Sequence, residues 1–174
     1  MPKPLIILGI SPGTRSMGIA IWKDNHLSEW QIKAFKGAWT AHKLRDILFT
    51  CKVILERHAV THLAIKAPDP FRTLPALDKL FLELQSLARS LKVKVKKYSL
   101  QDLKKLCSDN PKFTKAKLIR AIADQNDVLR NLYNRELKNR NPYYTKMFEA
   151  IALVLLTYQE YLKKHSVPSP FPQL

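Results

Sequence analysis

The sequence predicts an α/β fold with a mixed central sheet, an antiparallel N-terminal hairpin and flanking helices. Three observations predict it. The stretch ILGISPGTRSMGIAIW, residues 7–22, is two apolar runs joined by turn residues, the pattern of a hairpin. Next, two stretches with apolar residues at helical spacing, 41–58 and 74–91, alternate with the short strand-like runs THLAIKAP and KVKVKKY. Such alternation builds parallel strands joined by helical crossovers. After residue 99 the pattern becomes helical up to a Pro-rich end.

Leu5–Ile10 is an unbroken apolar run, as a buried central strand requires. SPGTRS is turn chemistry, and Gly18–Trp22 reads as the returning strand. LSEWQIKAF, residues 27–35, alternates well enough for a third. Thr40 is placed to cap a helix whose Leu44, Ile47, Leu48, Cys51, Ile54 and Leu55 share a face. THLAIKAP forms a short strand stopped by Pro68, and DPFRTLP a loop. The next helix aligns Leu77, Leu80, Phe81, Leu84, Leu87 and Leu91. In residues 92–98, Val93 and Val95 share one face of a strand, and Lys92, Lys94 and Lys96 the other. Ser99 and Asp102 form a capping-box variant before a short helix, and Thr114 can cap KAKLIRAIADQ. Residues 127–142 are polar and basic, without a firm assignment. The last helix spans roughly Tyr143–Lys163. This reading makes residues 1–165 a single domain and 166–174 a loose Pro-rich tail. The element order fits the ribonuclease H-like architecture.

Thirty Lys and Arg against 14 Asp and Glu give a formal net charge of +16 on 174 residues. Such an excess opposes compactness by self-repulsion and suits a polyanionic partner, nucleic acid first. Cys51 and Cys107 show neither disulfide nor metal-ligand spacing, which fits a reducing, cytoplasmic setting. AIALVLLTY, the longest late apolar run, is far short of the ~18 residues of a spanning helix, so no membrane role is expected. The five histidines show no ligand spacing.

LGISPGTRSMGIAI resembles the opening motif of the RuvC Holliday junction resolvases, roughly L-G-I-D-P-G-S-x-x-x-G. HLAIKAP stands where that family has a strand ending in Ile-Glu. KKYSLQDLKKL with FTKAKLIRAI is similar to its strand, helix and Lys-containing helix start, and TKMFEAIALVL to its closing D-x-x-D-A helix. The likeness runs in order over about residues 5–160. It implies a ribonuclease H-like fold, a homodimer and binding to branched DNA. The family cuts DNA with four carboxylates that hold two divalent metal ions. Position by position those acids become Ser11, Lys66, Lys146 and Glu149 here. The four positions carry +1 where four carboxylates would carry −4. An ammonium cannot ligate a metal and repels one. No intact catalytic set, metal site or cofactor is therefore expected, with magnesium entering only if displaced acids such as Asp24 or Asp69 restore a site. Lys66 and Lys146 either bind a phosphate directly or pair with Glu149.

Other candidate nucleic-acid contacts are Lys94 and Lys96, Lys104, and Lys112, Lys115, Lys117 and Arg120 around the Thr114 helix start. Lys94 and Lys96 equally suit an edge strand charged against aggregation. RNLYNRELKNRNPYYTK adds Arg130 beside Tyr133, Tyr143 and Tyr144, which either take unstacked bases or pack inward. The expected function is binding of branched or structured DNA, favoured over RNA, without metal-dependent cleavage. The alternatives are a magnesium-dependent Holliday junction endonuclease with displaced acids and a basic RNA-binding or interaction module.

Overall fold

A computed structural model describes residues 4–72, 74–140 and 144–165; Tyr143 and the Pro-rich end lie outside these. Five strands form one mixed sheet in the order β3-β2-β1-β4-β5. β1 (Ile7–Ser11), β2 (Ser16–Lys23) and β3 (His26–Ala34) form an antiparallel meander. β4 (His62–Lys66) joins β1 in parallel, and β5 (Lys94–Tyr98) joins β4 in parallel at the sheet's edge. The two crossovers are α1 (Ala41–Arg57) and α2 (Pro75–Ser90). Then follow α3 (Leu100–Lys105), α4 (Lys115–Ala123), α5 (Asp127–Lys138) and α6 (Tyr144–Lys164). This is the ribonuclease H-like fold that the element order predicts.

β1 is buried along its whole length because helices cover both faces of the sheet. One core lies under α1 and α2, where Leu8, Ile10 and Ile19 meet Ile47, Cys51, Leu80 and Leu84. The other lies under α6, where Ile7, Ala20 and Ala64 meet Met147, Phe148, Ile151 and Val154. The apolar stripes of α1 and α2 are thus largely used within the chain, while Phe49, Val53 and Leu82 remain exposed. Two glycines let α6 lie directly on the hairpin. A Cβ at Gly18 would overlap the Lys146 carbonyl, and one at Gly9 the Ala150 carbonyl.

The caps are where the side-chain chemistry puts them. Thr40 accepts from the Lys43 N–H at 3.1 Å, and Thr114 from the Lys117 N–H at 3.2 Å. Ser99 and Asp102 complete their capping box. Two boundaries differ from the sequence reading. β5 starts at Lys94, because Lys92 ends the turn after α2 with φ of +59° and is not extended. Residues 127–138 are helical, held by Asn126, whose side chain accepts from the Leu129 N–H at 2.7 Å. Among the described residues no helix is long and apolar enough to cross a membrane.

Candidate nucleic-acid interface

In a parallel pair the C-terminal ends of the strands lie side by side. The β1–β4 register pairs Ile10 with Ile65, so Ser11 and Lys66, one residue further on, emerge together at one end of the sheet. α6 begins above this end. Lys146 and Glu149 are three residues apart on α6 and so share a face. α4 supplies Lys115 from its first turn.

These side chains meet at Glu149, which is 0% exposed. Ser11, equally buried, donates its hydroxyl to Oε2 at 2.6 Å. The Lys66 and Lys115 ammonium groups lie 2.9 and 2.6 Å from Oε1. Lys146 donates instead to the Pro12 carbonyl at 3.0 Å, beside Gly13, where a Cβ would come within 2.9 Å of its ammonium. Burial opposes ionisation of Glu149. Lys66 and Lys115, with the hydrogen bonds from Lys115 and Ser11, outweigh it and hold the carboxyl below its ordinary range. For Lys146, burial lowers the ammonium pKa; attraction to Glu149 offsets part of this, and repulsion from Lys66 and Lys115 adds to it. Three ammonium groups against one carboxylate leave the cluster at +2.

This donor set does not fit a divalent metal. Magnesium takes oxygen ligands with near-octahedral demands. Both Glu149 oxygens are already engaged, and the other charged groups of the cluster are cations. Among the described residues no group of three or more His, Cys, Asp or Glu could hold an ion. Asp24 sits in the turn between β2 and β3, at the far end of the sheet from Ser11. Asp69 accepts from the Phe71 N–H at 2.9 Å within its own loop.

The other sequence-selected cations are dispersed. Lys117 and Arg120 lie exposed on α4, the helix that carries Lys115; Arg120 is 4.0 Å from Asp124. Lys112 is exposed in the loop leading to α4, and Lys104 is half-buried on α3. Arg130 pairs with Asp124 at 3.3 Å and Asp127 at 3.2 Å. Lys94 and Lys96 lie on the edge strand, Lys94 opposite His62 at the end away from Ser11, and Lys96 is bonded to Glu160 at 2.7 Å. Beside them a groove of about 1140 Å³ is lined by Lys92, Lys164, His165 and Tyr161. Tyr133 packs edge-on against Phe148, centroids 5.9 Å apart, and Tyr144 joins the same core, so both point inward. Lys115 stands out only in three dimensions: in the sequence it is one of several lysines around Thr114, and nothing there marks it as the one that reaches Glu149.

The class of fold is ribonuclease H-like, with a cationic cluster at the carboxyl ends of β1 and β4. Within that class the chain is similar to Thermus thermophilus RuvC. A structure described as T. thermophilus RuvC in complex with Holliday junction substrate superposes with a TM-score of 0.66 at 13% identity, over 96% of this chain and 99% of that one. A second T. thermophilus RuvC structure gives 0.65 at 16% identity, over 96% and 100%. No family model and no curated protein matches the sequence.

Proposed function

We propose that the protein binds branched or structured DNA through the face around β1, β4 and α4, and that it does so without metal-dependent cleavage. One observation carries the reading: the buried carboxylate of the cluster is neutralised by two lysines and a serine, and a third lysine leaves a net positive charge. Such a site attracts phosphate and repels the cations that hydrolysis would use. The +16 net charge and the exposed Lys112, Lys117 and Arg120 supply the surrounding field. The likeness in fold to a RuvC solved with a Holliday junction selects the four-way junction as the probe to try first.

The test is a salt-titrated binding panel of four-way junction, duplex, single strand and structured RNA, run with EDTA and with magnesium. Junction should bind best, EDTA should not matter, and no paired nicks should form. Lys66→Glu should weaken binding by about tenfold or more, and Lys117→Glu, at an exposed position, should lower the affinity and the salt slope without touching the core. Equal affinity for all four probes overturns the branched-DNA reading. Magnesium-dependent nicking that disappears in Glu149→Ala overturns the non-cleaving one.

A further inference from the structure

The cationic cluster is compact. Lys66 and Lys115 contact the same oxygen of Glu149, at 2.9 and 2.6 Å, so their ammonium groups are within 5.5 Å of each other. Lys146 feels both, as well as Glu149. The cluster also opens to solvent. The side chains of Lys66 and Lys115 are 21% and 40% exposed, while Ser11 and Glu149 beneath them are fully buried. The adjacent turn adds donors: among the described residues, the backbone N–H groups of Gly13, Thr14 and Arg15 are paired with no protein acceptor. The Lys146 ammonium sits against this turn, on the Pro12 carbonyl and beside Gly13. Lys66 and Lys115, at most 5.5 Å apart, can both reach the oxygens of a single phosphate group.

We infer that this cluster is a binding site for a terminal phosphate monoester, the phosphorylated end of a nucleic-acid strand, in preference to an internal phosphodiester. This rests on the nucleic-acid-binding reading above and narrows it. Charge sets the preference. An internal phosphodiester brings −1 and leaves the +2 cluster half neutralised. A terminal monoester brings close to −2 at neutral pH, its second ionisation lying near pH 6, and offers three acceptor oxygens in place of two. Lys66 from β4, Lys115 from α4, Lys146 from α6 and the turn after β1 approach from separate elements, so a tetrahedral anion can be met on several sides at once. Glu149 remains below as the anchor that fixes Lys66 and Lys115. A strand end at a nick or branch presents such a group; an unbroken duplex does not.

The experiment compares one nicked four-way junction in three forms: 5′-phosphate, 5′-hydroxyl with a 3′-phosphate, and hydroxyl at both ends of the nick. Affinity is measured in EDTA by fluorescence anisotropy at pH 7.5 and pH 5. One of the phosphorylated forms should bind about tenfold tighter than the all-hydroxyl form at pH 7.5. The advantage should fall at pH 5, where the phosphate carries one charge. Lys146→Met and Lys115→Met should each remove most of the advantage; Lys115 is partly exposed, so its variant should fold, which circular dichroism checks. Equal affinity of all three forms overturns this inference while junction binding leaves the broader reading intact. Failure of every form to bind overturns both. An advantage that survives both lysine variants places the end elsewhere and overturns the assignment.

Discussion

Glu149→Gln removes the charge on which the cluster is built while keeping the shape of the side chain. The carboxylate is fully buried and receives Ser11 at 2.6 Å, Lys66 at 2.9 Å and Lys115 at 2.6 Å. Removing one partner from a buried ion pair costs about 3–5 kcal/mol when the other stays buried. Lys66 and Lys115 are partly exposed and can turn to water, so a loss of about 2–4 kcal/mol is expected at pH 7. For a chain of 174 residues that is a fall of about 5–15 °C in Tm. The pH dependence fixes the cause. The Glu149 carboxyl is held below its ordinary range in the folded state, so its contribution is complete above the unfolded value, about 4.3. It is lost as the pH falls through the lower folded value. The stability gap between wild type and Glu149→Gln should be flat from pH 8 to about 5 and close below that. Binding should move the other way. The variant cluster carries +3, so four-way junction affinity in EDTA should rise several-fold at low salt. Urea unfolding across the pH range and anisotropy on the same samples read both quantities. A variant as stable as wild type at pH 7, a gap that persists in strong acid, or weaker junction binding would refute the reasoning.

Two further expectations concern the scaffold. Gly18→Ala puts a methyl group into the Lys146 carbonyl and within 2.6 Å of the Met147 nitrogen, so α6 must lift from β2; a loss of about 1–3 kcal/mol in urea unfolding is expected, with weaker DNA binding because Lys146 moves too. Unchanged stability would mean that α6 does not lie on the hairpin. Cys51 is fully buried against the Met17 sulfur at 3.7 Å, and burial pushes its thiol up to about 12; at pH 8 only the half-buried Cys107 should react with a thiol reagent before the chain unfolds. Fast labelling of Cys51 in the native state would contradict the packing of α1 on the sheet.

What was legible in the sequence follows from range. Thr40, Ser99 with Asp102, and Thr114 act on neighbours three residues away, so their caps could be read locally and stand in the structure. Asn126, just before Asp127, is the same kind of signal, but the basic polarity of residues 127–142 masks their helical period. Lys92 fails for a different reason: it fits the alternation of β5, but the turn after α2 takes φ of +59° there, with no glycine to announce it. The partners of Glu149 are the least legible. Ser11, Lys66 and Lys115 lie 138, 83 and 34 positions away from it, and only the sheet order and the seat of α6 decide which cation reaches which oxygen. The sequence suggested Lys66 and Lys146 as its pairing candidates. In the structure Lys115 takes the place beside Lys66, and Lys146 turns to the Pro12 carbonyl.

The residues of the cluster are interdependent, and this bears on how such a site can change. Lys66 and Lys115 share one oxygen of Glu149, which leaves the other as an acceptor sealed from water. A buried acceptor needs a donor, and Ser11 provides it at 2.6 Å with no charge of its own. An aspartate at position 11 would set a second carboxylate against Oε2 in place of that donor, while the two ammonium groups still held Oε1. Such a change would neither satisfy Glu149 nor free it for a metal. The backbone that gathers these positions depends on Gly9 and Gly18 under α6, not on the charges above them. For the sign of the site to reverse, the side chains at 11, 66, 115 and 146 must therefore change together around Glu149.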